Sequence, residues 1–506
     1  MIGSFRSGGP LDLDCDALII GSGAGGACVA DVLTRAGFDV VMIEEGAYTP
    51  PQFAPTSASD ALLRSWRCGG LTAALGAPPV VYAEGRCVGG GTEINSAIFQ
   101  RADDSLLDLW ARRYSIAEFG AEALAPWYDR AARAVNASYT PLSEQGRPSD
   151  LLRAGAAKLG WRHASLERAQ RQCVGTNNCS LGCPTGGKQS MSVTLLPEAI
   201  ARGMRLVAEC RVDRLERSGD RIVAAHGRAI DHAGRRQRVT VRAKDVFLCA
   251  GAIHTPALLQ RSGLGRHFGK TLRMHPTIRA IAVFDELVDA SSFRLPLQAI
   301  TEFMPDQRIG GSVFTPSFFG MALADDLPRR AHLLARWRHA AVYYGMIRPQ
   351  GTGRIDSLLP GQEPLVRYSH TAQDLHSIAE IGGRLAEVLF AAGARLVVPC
   401  IAGHEGWTDP AAARQELSRG IARSRLNLMT IHLFSSCIPG ETGAQTVTDS
   451  FGRVRGLANL VIADASQIPE APGCNPQGTV MALAFRSAEA FLTAADHVRS
   501  VAAAAE

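Results

Sequence analysis

The 506-residue chain contains no uninterrupted apolar run of the roughly 18 residues that a membrane-spanning helix needs, which argues against an integral helical membrane protein. Met1 to Asp16 carries Arg6 but neither an apolar signal core nor a twin-arginine pair. A cytoplasmic location is therefore expected, with peripheral contact at a membrane left open. Basic residues form no stripe: 53 Lys and Arg are spread along the chain beside 48 Asp and Glu, and the net charge of +5 gives nucleic acid no footprint. Internal repeats are absent, and low complexity is confined to the Ala-rich tail after Ser500. Hydrophobic residues make up 46% and charged residues 20%, the balance of a globular chain long enough for roughly two to four domains. The 12 cysteines are dispersed rather than set in a short disulfide frame, and Cys28 and Cys249, inside apolar or glycine-rich runs, read as small core residues.

What is present begins at Ala17-Leu18-Ile19-Ile20, an apolar strand that runs into Gly21-Ser22-Gly23-Ala24-Gly25-Gly26. Gly21, Gly23 and Gly26 have the G-x-G-x-x-G spacing, and a helix is expected from Ala27 to Ala36. The first glycine makes the tight turn, the second admits a pyrophosphate, the third lets helix and strand pack closely, and the helix N-terminus faces the phosphates. A second strand, Asp39 to Ile43, ends in Glu44, 23 residues beyond Gly21 and placed to accept from an unphosphorylated ribose, with Glu45 as the neighbouring alternative. Glycine turns also arise wherever backbones pack closely. Strand, helix and terminal acid together favour a dinucleotide site, and the N-terminal position without a second copy for a nicotinamide cofactor points to FAD.

Residues 50–84 read as an irregular excursion rich in Pro, Ala and Ser. Beyond it, Gly85-Arg86-Cys87-Val88-Gly89-Gly90-Gly91-Thr92-Glu93-Ile94-Asn95-Ser96 reads as a loop against which a flat ligand can lie. Asp245 to Cys249 reads as a buried strand, Gly251 as a turn and Thr255 to Gln260 as a helix start. Leu460 to Ala463 is a further strand, ending in Asp464; Asn475-Pro476-Gln477-Gly478-Thr479 then opens an apolar helix, Val480 to Leu492.

Gly85-Arg86 through Asn95-Ser96 resembles the first signature of the glucose-methanol-choline (GMC) oxidoreductases, and Ala250 through Gly265 resembles the second. With the C-terminal segment, the resemblance spans the chain. It implies an α/β fold: a Rossmann-like FAD-binding domain assembled from 11–105, 190–275 and 455–506, and an α+β substrate domain with a mainly antiparallel sheet from 106–189 and 276–454. Strands at Ile278 to Phe284 and Ala341 to Ile347 and a helix at Asp374 to Ala392 suit that second domain. The FAD contacts then implied are Gly21, Gly23, Ala24, Gly26, Glu44, Glu45, Arg86, Gly89, Gly90, Thr92, Asn95, Ser96, Val212, Ala250, Gly251, Asp464, Ala465, Asn475, Pro476 and Gln477. Some relatives link a histidine covalently to flavin; Ile94 stands there, so FAD is expected to be noncovalent.

His432, in Thr430-Ile431-His432-Leu433-Phe434, resembles the family's active-site histidine, and an imidazole of ordinary pKa near 6.5 is a fit base for an alcohol proton. Its reaction rate would then rise with pH through one ionisation. If His432 were a core histidine instead, His275 and Glu302 would be the next candidates. Asn475 stands where the family places a second active-site residue, to hydrogen-bond the substrate oxygen; an Asn before Pro is also a common helix cap. The implied reaction is FAD-dependent oxidation of an alcohol, and Phe314, Phe318, Phe319 and Met321 would wall a lipophilic or bulky substrate or else form core. The electron acceptor is oxygen, a quinone or a protein. Cys173, Cys179 and Cys183 resemble the ligands of an iron-sulfur cluster in some relatives, although a fourth ligand is missing and buried thiols under a turn are the alternative. Two rivals remain on this evidence: a non-redox relative, lyase or decarboxylase, and an electron-transfer subunit using that cluster.

Overall fold

The computed structural model describes residues 3–4, 9–55, 57–231, 233–292, 296–357, 359 and 361–505, with the backbone alone described for 3–4, 325 and 495–505. Arg6 and Glu506 lie outside the described residues, as do the side chains of the Ala-rich tail.

The architecture is mixed α/β, built on two sheets. The first runs, in spatial order, Gly3–Ser4, Arg205–Ala208, Val40–Ile43, Leu11–Ile20, Arg236–Leu248, Arg221–Ile230 and Cys210–Ser218. Leu11–Ile20 pairs in parallel with Val40–Ile43 and with Arg236–Leu248, whose last residues also pair in parallel with Leu460–Ile462. The early part of Arg236–Leu248 instead pairs antiparallel with Arg221–Ile230, so this one strand joins a parallel sheet to an antiparallel meander.

Alternation at a period of two explains why the central strands are apolar at every position. Ala17, Ile19, Val40 and Met42 face one core, whereas Leu18, Ile20, Val41 and Ile43 face another across the sheet. The helix Ala24–Arg35 covers the first face, packed with Leu195–Ala201 and Gln477–Ala505. Its approach needs glycine. A Cβ on Gly26 would stand 2.0 Å from the Gly21 carbonyl oxygen, and one on Gly25 would stand 1.9 Å from that of Ala463.

The second sheet runs Thr72–Ala74, Val80–Tyr82, Leu428–Thr430, Thr277–Val283, Ala340–Ile347, Gln307–Gly311, Gln298–Ile300 and His163–Ser165. It is antiparallel except where Leu428–Thr430 meets Val80–Tyr82. The helix Ala372–Ala391 lies on it, started by a capping box in which Thr371 and Asp374 satisfy each other's backbone N–H. The excursion at 50–84 is more ordered than its composition suggests. It holds a helix, Ala58–Ser65, and a hairpin, Thr72–Ala74 with Val80–Tyr82, that joins the second sheet although it lies within 11–105. Strands of 3 residues are too short to show a period.

Gly25→Ala is expected to destabilise the fold by more than the ~1–3 kcal/mol usual for an overpacked position, because the obstruction is the backbone carbonyl of Ala463, just past the buried strand Leu460–Ile462. A urea midpoint equal to wild type would show that helix and strand can separate there.

Candidate active site

The carboxyl ends of the first-sheet strands open on a cleft of about 280 Å³ that reaches the break after Leu428–Thr430. Of the residues expected at a dinucleotide, Gly21, Gly23, Ala24, Glu44, Glu45, Gly90, Thr92, Asn95, Ser96, Val212, Ala250, Gly251, Asp464, Ala465, Asn475, Pro476 and Gln477 line it. Three do not. Gly26 and Gly89 stand behind the lining, the first spacing helix from turn and the second bonding through its N–H to Ser22 Oγ at 3.0 Å. Arg86, half-exposed, stands outside the lining and pairs with Glu45 at 3.1 Å.

Two buried carboxylates fix the walls. Glu44 Oε2 accepts from the N–H and hydroxyl of Ser22 at 3.1 and 2.7 Å, and Oε1 accepts from Gly46 N–H at 2.8 Å. That leaves one lone-pair direction on Oε1 for a ribose hydroxyl. Asp464 accepts from Gly251 N–H at 2.8 Å, from the Thr255 hydroxyl, and from Ser466 N–H and hydroxyl at 2.8 and 2.6 Å. Burial pushes both acids upward, against these donors. On the loop, Asn95 Nδ2 donates to Gln477 Oε1 at 2.7 Å, tying it to the last helix. Lys188, buried, donates from Nζ to the carbonyls of Glu93, Asn95 and Cys179.

A charged group that local sequence patterns do not reveal faces the same cleft: Arg67, Glu84, Arg211, His254 and Arg261, with Glu45. Burial works against the Glu45 charge, yet Arg67, bonded at 2.9 Å, and Arg211 bring it down to about 2. Glu84, whose Oε2 lacks a partner, is pushed up by burial to about 7.

His432 and Asn475 meet elsewhere on the cleft wall. Asn475 Nδ2 lies 3.1 Å from His432 Nε2, and His432 Nδ1 lies 3.1 Å from His275 Nδ1. Asn475 Oδ1 accepts from Arg308 at 2.9 Å rather than from a first-turn N–H, so the side chain is not spent as a helix cap. Burial, then the Arg308 charge, bring His432 down to about 3. The expected ionisation near neutrality is therefore displaced: the ring is neutral throughout the ordinary working range.

The lining suits an FAD. Gly23, Gly91 and Gly251 border the cleft with open space where a Cβ would stand. Residues at the N-termini of Ala24–Arg35, Gly251–Arg261 and Gln477–Ala505 also face it, offering positive helix ends to a diphosphate and an electron-rich ring. Residues 16–277 and 348–484 match family profiles described as GMC oxidoreductase. The chain belongs to the GMC oxidoreductase family. It is an FAD-dependent oxidoreductase. An uncharacterised GMC-type oxidoreductase of Sinorhizobium fredii, y4nJ, is 54% identical over 506 residues, 100% of both chains. Long-chain-alcohol oxidase FAO4A of Arabidopsis thaliana is 25% identical over 512 residues, covering 96% of this chain and 69% of that one. Pyridoxine 4-oxidase from Mesorbium loti shares the fold, with a TM-score of 0.70 at 18% identity and coverage of 95% and 99%.

Three alternatives left open by the sequence go the other way. The iron-sulfur reading of Cys173, Cys179 and Cys183 is not supported: among the described residues no group of three or more His, Cys, Asp or Glu is placed to hold a metal. Cys179 sulfur instead accepts from buried Arg168 at 3.0 Å, and Cys183 sulfur from Lys188 N–H at 3.4 Å. Glu302 is no candidate base, since it pairs with Arg162 at 2.9 Å away from the cleft. Phe314, Phe318, Phe319 and Met321 do not line the cleft; Phe314 and Phe319 are core, at ring centroids 5.3 Å apart, and Met321 is exposed. Among the described residues, no helix is long and apolar enough to cross a membrane.

The neutral His432 carries a stability signature. Its ordinary pKa near 6.5 in the unfolded chain exceeds its folded value of about 3, so between the two the unfolded state binds the extra proton. This contribution is complete above pH ~6.5 and is lost as pH falls toward about 3. His432→Asn should therefore lessen the acid loss of stability between pH 6.5 and 4 by up to ~1.4 kcal/mol per pH unit, read from urea midpoints. Parallel pH curves for the two proteins would count against a neutral His432.

Proposed function

We propose that this oxidoreductase acts on an alcohol with a lipophilic or bulky body, giving the aldehyde or ketone, with His432 as general base and Asn475 as hydrogen-bond donor to the substrate oxygen. One observation carries the reading: a donor amide and a neutral ring nitrogen lie 3.1 Å apart on the wall of the cleft. A hydroxyl placed between them donates its proton to His432 Nε2 and accepts from Asn475 Nδ2.

FAD, held noncovalently because Ile94 offers no nucleophile, supplies the acceptor for the two electrons and the hydrogen leaving the alcohol carbon. The chain's residues do the rest. His432 takes the hydroxyl proton, and Asn475 steadies the oxygen as its charge grows. The N-terminus of Gln477–Ala505 places a positive dipole beside them. Ile94, Ile98, Ile431 and Leu433 give the cleft apolar surface near the pair, and Ile431 is 43% exposed, as an entrance residue for a lipophilic chain would be. The likeness to a long-chain-alcohol oxidase supports this substrate class.

Anaerobic mixing with a series of primary alcohols of increasing chain length tests the reading, with flavin absorbance as the signal. His432→Ala should slow flavin reduction by roughly 10²- to 10⁴-fold while FAD stays bound, and Asn475→Ala should cost less. Because His432 sits at about 3, the wild-type rate should show no imidazole ionisation between roughly pH 5 and 8. A His432→Ala enzyme that bleaches at the wild-type rate would remove His432 from the chemistry.

A further inference from the structure

Arg308, on the strand Gln307–Gly311, is fully buried, and among the described residues no carboxylate lies within ion-pairing distance of it. Its Nε and Nη2 have no hydrogen-bond partner. Nη1 alone is engaged, donating to Gln100 Oε1 and to Asn475 Oδ1. A buried, unpaired guanidinium is costly, and this one is spent on the side chain that faces the candidate base.

We infer that Arg308 is a positioning residue that selects the tautomer of His432 by fixing the orientation of the Asn475 amide, with His275 receiving the proton of His432 Nδ1. The inference rests on the reading of His432 as base. Guanidinium never accepts a hydrogen bond, so the Asn475 atom facing it is the oxygen, and the amide nitrogen must face His432. That nitrogen only donates, so His432 Nε2 accepts, and a neutral ring then carries its proton on Nδ1. Nδ1–H donates to His275 Nδ1, 3.1 Å away, which leaves the proton of neutral His275 on Nε2.

Gly473 N–H is directed at that Nε2, 3.2 Å away, a donation that the Nε2–H tautomer of His275 has to give up. The chain from Arg308 to Gly473 is thus closed at both ends by groups that only donate, and it already holds one proton more than its contacts can use. Another proton on either ring would oppose a second pair of donors. The arrangement changes when an alcohol oxygen takes the place of the Asn475 amide at Nε2. The imidazolium formed by proton transfer then has an acceptor on each side, the substrate oxygen and His275 Nδ1. The groups facing the two rings are Asn475 and Arg308 for His432, and Arg348, Arg308 and the Phe434 ring for His275.

The test is nitrogen NMR of holoenzyme labelled with ¹⁵N-histidine, without substrate, across pH 5 to 8. Wild type should show His432 with Nδ1 protonated, Nε2 bare, and no titration. In Arg308→Met the amide is free to turn, so His432 should show both tautomers, while burial still keeps the ring from titrating across this range. Arg308→Lys, which still only donates, should restore the single tautomer. Should Arg308→Met not fold, Asn475→Asp answers the same question: a carboxylate can only accept, so His432 should switch to the Nε2–H tautomer. A wild-type ring protonated on Nε2, or an unchanged tautomer in Arg308→Met or Asn475→Asp, overturns the inference. Full activity of His432→Ala beside the expected NMR result would overturn the catalytic reading alone and leave the positioning intact.

Discussion

The Glu44 carboxylate is the joint on which the cofactor cleft depends. It is buried at the end of Val40–Ile43, and its hydrogen-bond partners are the backbone N–H groups of Ser22 and Gly46 and the Ser22 hydroxyl. Ser22 Oγ in turn accepts from Gly89 N–H. Through two side chains, three separate pieces of chain are held in register: the first glycine turn, the second strand end and the glycine loop. Asp464 does the same at the end of Leu460–Ile462, gripping the start of Gly251–Arg261 and the turn at Ser466. A buried carboxylate needs several donors to stay charged, and the glycine turns supply backbone N–H groups unobstructed by side chains. The glycine pattern and the two acids are thus halves of one device.

Electrostatically the cleft has two regimes. Around Glu45, Arg67, Glu84 and Arg211, opposite charges lie close together and hold one another largely in place, with His254 kept neutral among them by burial. Around His432 and Asn475 the formal charge close by, among the described residues, is Arg308, set behind the amide rather than on the lining. A network of paired charges suits binding of a fixed polar cofactor, because it leaves no net field for a passing ion to neutralise. An uncharged pair suits proton transfer, because a carboxylate beside the histidine would stabilise the imidazolium and hold the proton.

Strand, turn and helix around Gly21 to Arg35 were legible because a glycine spacing and a period of two are local signals, and the later strands and helices followed from the same periods. His432 and Asn475 were legible through family resemblance. Arg308 and Gln100 were not, and His275 was named only as a substitute base rather than as a partner of His432: they come from separate parts of the chain and meet only through the second sheet and the glycine loop, which no window of sequence displays. The hairpin at Thr72 to Tyr82 was hidden by strands too short for periodicity. The aromatic cluster at Phe314 and Phe319 could be read as core or as pocket wall for a related reason, since composition records apolar surface but not the side from which it is covered. Cys173, Cys179 and Cys183 looked like ligands because spacing along a loop says nothing of where the sulfurs point; buried Arg168 and the Lys188 backbone take two of them.

Under the proposed role of His432 as base, the residue and its setting explain each other. A histidine held neutral by burial and by the Arg308 charge is a weak proton acceptor on its own. Weakness at rest is useful when the proton must leave the alcohol only as the carbon gives up its hydrogen, since an imidazolium formed early would strand an alkoxide. The positive end of Gln477–Ala505 and the Arg308 guanidinium, acting through Asn475, would both favour negative charge on an oxygen bound there. The same guanidinium that disfavours a proton on His432 therefore favours the proton's departure from the substrate. The charge on His432 becomes acceptable when the oxygen beside Nε2 can share it.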